Sequence, residues 1–540
     1  MAWSRCLATL VLMSGMFVAT AQENRYMVFF KDKTSSPYST AQPLDFLSQR
    51  AVDRRVRQGI AVTEVDIPVN ENYIQGVRDA GANVFFPTRW MNGVLVQCDA
   101  TLIVSLGDLP FVDRIEFVAP NKKLLSSGRT KSQLRTKGGM NATRTQAQLE
   151  MIGLDEMQEA GYKGETILIG IFDGGFQGVD STVPFQHIFN EGRIDIEVSK
   201  DFVYNSENVF QYDDHGTAVF SVIAAYQDGN FVGGSYEANY QLYVTEDVNS
   251  EYRIEEYNWL FAAERADSSG VDVINSSLGY YDFDDLSMNY SKSDMDGNTT
   301  VITKAAQFAT DRGIVVVCSA GNEGGVAWQI ITAPADARDV LAVASVNSDG
   351  LRSASSSVGP SADGRVKPDV AAQGVNTSVI KPDGSAGTAS GTSLSSPLVA
   401  SLVAGVWQRY PLLTNKQLIE AVRKSASQAI SPDNLLGYGI PNFKAVVNFL
   451  EEQPQENLFE VFPNPVMADT ITIRPFDPAQ ITSCRLEILS SQGQLVHSTD
   501  AAFSWLNRTY TANLSQFAAG MYYLRILWGE KRYTFKLVKV

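Results

Sequence analysis

The sequence predicts an α/β protein whose parallel sheet carries helices on both faces, preceded by a small α+β domain and followed by a small β-sandwich. Three observations carry that expectation. Between about Gln148 and Leu450, apolar runs without alternation are separated by helical stretches, the pattern of strands buried on both faces. At 540 residues the chain exceeds one ordinary core. Polar breaks at 121–147 and 451–458 divide segments of different texture.

The elements follow in order. Arg5, the apolar run Leu7 to Val18, and the small residues Ala19 and Ala21 before Gln22 read as a secretory signal over residues 1–21. The run is shorter than the roughly 20 apolar residues of a membrane span, and no later stretch reaches that length, so the mature chain is expected to carry no transmembrane segment. Residues 22–120 hold a strand at Tyr26 to Phe30, a charged helix at Pro43 to Arg57 with Leu44, Phe46, Leu47 and Val52 on its apolar side, and a helix at Asn72 to Ala80. A hairpin (Asn83 to Trp90, Gly93 to Cys98), a helix near Leu102 and a strand at Val112 to Val118 complete a sandwich of ferredoxin-like character. No titratable cluster stands out in it. The stretch 121–147, with Lys122, Lys123, Arg129, Lys131, Arg135, Lys137 and Arg144, reads as an exposed basic linker, the kind of segment that proteases cut.

The central domain, 148–450, places strands at Thr166 to Phe172, Gln241 to Val244, Val271 to Ile274, Ile314 to Cys318 and Val340 to Val346. Helices fall at Arg253 to Ala266, Thr300 to Arg312 and Leu394 to Tyr410, and Thr414 to Gln417 has the pattern of a capping box. From 459 to 540, short strands at regular spacing predict the β-sandwich.

A net charge of −16 argues against nucleic acid or an anionic membrane as a partner. Cys6 leaves with the signal, and Cys98, Cys318 and Cys484 fall in separate domains, so neither a disulfide framework nor a zinc site is expected.

Four residues in the central domain combine into one chemistry. Asp173 ends an apolar strand and precedes Gly174 and Gly175, where open α/β sheets place ligand crevices. His215, one of three histidines, stands at a helix start, whereas His187 lies in a Pro- and Phe-containing loop and His497 in the C-terminal domain. Asn322 sits in a Gly-flanked turn after the strand ending at Cys318, and Ser393 opens an apolar helix within Gly391-Thr-Ser-Leu-Ser-Ser-Pro397. Taken singly, these are a turn aspartate, a surface histidine, a turn asparagine and a helix cap. Jointly they are the residue types of nucleophilic acyl transfer, all next to element ends of one domain.

Ile171 to Gly175, His215-Gly-Thr217, Ser277-Leu-Gly279, Ser319-Ala-Gly-Asn322 and Gly391 to Pro397 together resemble the subtilisin-like serine proteases, in that family's order of acid, base, nucleophile. The resemblance implies a triad of Asp173, His215 and Ser393, with Asn322 in the oxyanion hole. It also implies that Ser277, Leu278 and Gly279, with Ser319, Ala320 and Gly321, bind substrate. Gly174 stands where the family has Ser or Thr. Asp213 and Asp214 are read as solvated acids, and Glu323 resembles a residue at the rim of the primary specificity pocket. No cofactor is expected for the chemistry and no metal ligand is assigned; structural calcium in the acidic loop Asp282 to Asp296 is an open alternative to simple solvation.

The resemblance extends to the flanks. The N-terminal domain is similar to the family's inhibitory propeptide, which makes the basic linker the region of maturation cleavage. The C-terminal domain, with Phe462-Pro-Asn-Pro465 and Gly520-Met-Tyr522, looks like the sorting domain of type IX secretion. Expected partners are therefore protein or peptide substrates, the chain's own propeptide and the type IX machinery. The rival reading from another class is a non-catalytic surface adhesion protein that retains the fold.

Overall fold

A computed structural model describes residues 23–120, 137–138, 145–452, 458–467, 469–475, 481–504, 508–529 and 531–540. The expected signal and most of the basic linker lie outside these residues.

Among the described residues the central sheet has seven strands, in the spatial order Val370–Gln373, Leu341–Val346, Val315–Ser319, Val273–Ser276, Leu168–Asp173, Asn239–Val244, Lys200–Asp201. Every pairing is parallel. The chain builds outward from Leu168–Asp173 first on one side, to Asn239–Val244, and then on the other, from Val273–Ser276. The order thus reverses at the strand that ends in Asp173, and the crevice of such a sheet opens there. The edge strands Val370–Gln373 and Lys200–Asp201 are additions to the strands expected from sequence; the second, at two residues, is too short to show a period.

Burial on both faces explains the unalternated runs. Ile169, Ile171, Val315 and Val317 pack with helices His215–Ala224, Thr392–Arg409 and Asn415–Lys424. Leu168, Phe172, Val316 and Cys318 pack with helices Ile254–Ser269 and Val301–Asp311. The Thr414 capping box forms, its side chain accepting from the Gln417 amide.

The N-terminal domain is a four-stranded antiparallel sheet ordered Asn83–Thr88, Gly93–Asp99, Glu23–Phe30, Val112–Pro120, with the first and third strands central as in ferredoxin-like folds. Strand alternation divides its residues between two jobs. Tyr26, Val28 and Phe30 face the domain's own helices, alongside Ile74, Val77 and Leu106. Met27, Phe29 and Leu95 face the central domain and share one apolar cluster with Tyr257, Phe261 and Ile302.

The charged helix departs from expectation. A 3-10 turn at Pro43–Asp45 is separate from the α-helix Gln49–Gln58, which starts at an Ser48 cap. Leu44 and Val56 are exposed, and the helix buries Arg54 and Arg55 instead. These arginines, with Arg89, converge on the fully buried Asp267: Arg54 Nη2 at 2.5 Å, Arg55 Nη2 at 2.8 Å and Arg89 Nη2 at 2.6 Å. Arg55 and Arg312 also meet Asp66. The domain therefore does carry a titratable cluster, at its contact with the central domain. Three guanidinium groups hold the Asp267 carboxyl far below the usual carboxylate range despite its burial.

The C-terminal residues form two antiparallel sheets, one of three strands and one of four, around a shared apolar core. Arg474 reaches from this domain to donate to the Arg57 carbonyl at 2.8 Å. Cys98, Cys318 and Cys484 are buried free thiols. No helix among the described residues is long and apolar enough to cross a membrane.

Candidate active site

Register brings the singled-out residues together. Phe172 lies beside Ser276, and Ser276 beside Cys318, so Asp173, Ser277 and Ser319 leave three adjoining parallel strands at the same level. Asp173 is fully buried, and its Oδ1 accepts from His215 Nδ1 at 2.7 Å and from the Gly174 amide at 2.8 Å. Its Oδ2 is buried with no hydrogen-bond partner among the described residues. His215 is the first residue of its helix and keeps its ring partly exposed. Gly216 permits this approach, since a Cβ there would overlap the Gly175 carbonyl and come within 2.9 Å of Asp173 Cβ.

Ser393 enters from the opposite helix, Thr392–Arg409. Its hydroxyl donates to the Ser277 carbonyl at 3.3 Å, and its own carbonyl accepts from Ser277 Oγ at 2.9 Å. Sequence reading makes Ser393 the helix cap; in the structure the cap is Gly391, and Ser393 is the second helical residue. The capping acceptor comes from elsewhere in the chain. Asn322 Oδ1 accepts from the Thr392 amide at 2.9 Å and from Thr392 Oγ1 at 3.1 Å. With Oδ1 committed as acceptor, the amide's donors reside on Nδ2. A helix N-terminus and an asparagine amide thus meet beside Ser393, an arrangement suited to a developing negative charge.

Ser277 and Leu278 are buried while Gly279 is exposed, so the segment offers a backbone edge at its end. Ser319 Oγ donates to the Leu278 carbonyl at 3.5 Å, tying this edge to Ser319, Ala320 and Gly321. Glu323, expected at a pocket rim, accepts from Tyr281 OH at 3.2 Å, and Tyr281 stacks on Trp328 with 4.3 Å between ring centroids. His187 is remote from this chemistry, its Nε2 meeting the Tyr236 carbonyl at 3.1 Å.

Two acids lie near the imidazole, Asp213, which adjoins it in sequence, and Glu246, which the sequence did not single out. Asp213, read as solvated, is half-buried, and burial raises its pKa. Glu246 lies two residues beyond Val244, the partner of Asp173 in the neighbouring strand. Both approach Gly174: a Cβ on that glycine would sit 3.2 Å from Asp213 Oδ2, 3.5 Å from Glu246 Oε2 and 2.9 Å from Val248 Cγ1. The space that a Ser or Thr side chain would take is filled by these neighbours. Burial alone depresses the His215 pKa, but the Asp173 carboxylate with its hydrogen bond, then Glu246 and Asp213, outweigh it and displace it upward.

The acidic loop spends carboxylates on its own turns. Asp285 accepts from Ser287, Asp294 from Ser291, and Asp296 from Asn298 and Thr299. Among the described residues, no group of three or more His, Cys, Asp or Glu side chains is placed to hold a metal ion.

Residues 25–136 match the peptidase S8 propeptide domain of Bacteroidota, and residues 460–540 match the secretion system C-terminal sorting domain. The chain is 29% identical over 300 residues to subtilisin DY of Bacillus licheniformis, covering 55% of this chain and 96% of that protein. It is 28% identical over 302 residues to subtilisin E of Bacillus subtilis (strain 168), covering 55% and 70% respectively. The solved structure of MycP3 protease from the type VII (ESX-3) secretion system aligns with a TM-score of 0.49 at 20% identity, covering 59% of this chain and 92% of that one. The model of the subtilase family matches residues 164–439, just over half of the chain, and the protein belongs to that family.

Proposed function

We propose that Asp173, His215 and Ser393 are the orienting acid, general base and nucleophile of this secreted serine peptidase, which is made as a zymogen and cleaves peptide bonds in proteins. The observation that carries the assignment is the 2.7 Å bond from His215 Nδ1 to the buried Asp173, formed at the strand end beside the Ser277 carbonyl to which Ser393 is tethered. That bond fixes the imidazole tautomer and leaves Nε2 as the base.

Attack on the scissile carbonyl forms the Oγ–C bond while the proton passes to Nε2. The C–N bond then breaks, and Nε2 returns the proton to the leaving amine; water repeats the sequence to release the acid. Asn322 Nδ2 and the Ser393 amide stabilise the oxyanion. Substrate backbone adds as a strand along Ser277 to Gly279, opposite Ser319 to Gly321. These steps use side chains and backbone amides alone, so no cofactor enters the reading.

The N-terminal domain, seated on helices Ile254–Ser269 and Val301–Asp311, serves as the inhibitor until the segment after Pro120 is cut. Ser393→Ala tests both chemistry and maturation: the variant is expected to stay full length and inactive. Normal processing in a host lacking other proteases would refute self-cleavage.

A further inference from the structure

The last turn of helix Gln49–Gln58, in the N-terminal domain, touches both of the other domains. Toward the central domain, Gln58 Nε2 donates to the Gly313 carbonyl at 2.7 Å, and its Oε1 accepts from the Asn415 amide at 2.8 Å. The Arg57 guanidinium lies over Trp407, 5.6 Å from the ring centroid, and donates to Asp272 at 3.4 Å. Gly59, in the left-handed conformation, closes the helix: the amides of Gly59 and Ile60 take the Arg55 and Val56 carbonyls. The Arg57 carbonyl, next along, accepts instead from Arg474 Nη1 of the C-terminal domain. A helix ends in carbonyls without helical partners and in the negative pole of its dipole, so both favour a guanidinium there.

Arg474 is held ready for this bond by its own sheet. Glu460 is its partner in the neighbouring strand, and Glu460 Oε2 accepts from Arg474 Nε at 3.0 Å and from Nη2 as well. The Phe462 ring centroid lies 5.4 Å from the guanidinium. With the group fixed at these points, the bond from Nη1 costs little further side-chain freedom. Ile473 pairs with Tyr510, so Arg508 precedes the neighbouring strand at the same end of the sheet as Arg474. Arg508 is half-buried and within electrostatic reach of Asp53 and Arg57 of the helix, and Asp53 lies on the helix's exposed side. The charge of Arg57 is itself met by Asp272.

We infer that the sorting domain is a clasp on the propeptide: Arg474 and Arg508 grip the end of helix Gln49–Gln58 and hold the N-terminal domain on the central domain. The coupling is reciprocal, so departure of the propeptide takes away the Arg57 acceptor and loosens the sorting domain in turn. Its consequence for activity rests on the reading of the N-terminal domain as the inhibitor; the docking does not.

The test is hydrogen exchange read by mass spectrometry on full-length chains that all carry Ser393→Ala. Arg474→Ala is expected to quicken exchange in Gln49–Gln58 and in Glu23–Phe30 by about tenfold, the worth of one charge-assisted hydrogen bond. Arg474→Lys, which keeps the charge but not the fork, should lie between. Asp53→Arg sets like charge against Arg508 and should quicken the same segments, and adding Arg508→Glu should restore them. Unchanged exchange in both Arg474→Ala and Asp53→Arg would overturn the inference, as would an Asp53→Arg effect that Arg508→Glu leaves in place, since that effect would then be confined to the helix itself. Faster exchange within Ser483–Ser490 in Arg474→Ala would mean that the tail itself had loosened, and the Asp53 and Arg508 exchange of charge then decides. Cleavage of the Ser393→Ala chain by itself would refute the catalytic reading instead.

Discussion

His215 sits among three carboxylates, Asp173, Asp213 and Glu246, and their combined field displaces its titration upward against the effect of burial. The base proposed for His215 must be neutral to act, so the sign follows directly. Activity should rise with pH through an acid limb lying above the ordinary imidazole value of about 6.5. Glu246→Gln removes one of the charges and should move that limb to lower pH, as read from kcat/KM against pH on one peptide substrate. A limb that stays in place would show that Glu246 does not act on the imidazole. Asn322→Ala should lower kcat by about 10² to 10³ with little change in KM, the range established for this donor in the subtilisins. The four principal residues were legible in the sequence because each is punctuated by glycine or stands at the end of an apolar run. Glu246 was not, since it is not marked by its neighbours and matters only through residues distant in the chain.

At the scale of elements, the helix Gln49–Gln58 shows where pattern reading fails. Arginines are normally counted as exposed. Here Arg54 and Arg55 form the buried side because Asp267, more than 200 residues away, pairs with them. Asp267→Asn would leave buried guanidinium groups facing a neutral amide, at a cost of about 3–5 kcal/mol. Denaturant unfolding of Ser393→Ala and of the Ser393→Ala, Asp267→Asn double variant, both left uncut, should show the second as the less stable. Equal midpoints would mean that the cluster contributes nothing to docking. The helix carrying Ser393 makes a related point: its start was evident, but its cap was not. A serine in a small-residue turn reads as its own cap, whereas Asn322 supplies the acceptor from another strand's end and frees Ser393 to sit inside the first turn.

For the molecule as a whole, composition and texture were enough to separate the α+β, α/β and β-rich parts, because each has its own period. Contacts between the parts were not legible. The run Tyr26 to Phe30 is apolar at every position, but nothing in it tells which partner covers each of its faces. The C-terminal sorting domain directs export to the cell surface or beyond. Deleting residues 453–540 should therefore leave protease activity within the cell envelope and remove it from the surface and medium, as measured by fractionation with the same substrate. The account turns on Ser393 as nucleophile, and the most direct measurement is mass spectrometry of the processed protein after exposure to a fluorophosphonate. It predicts a single adduct on Ser393, lost in His215→Ala; an unlabelled Ser393, or an adduct on another residue, would contradict it.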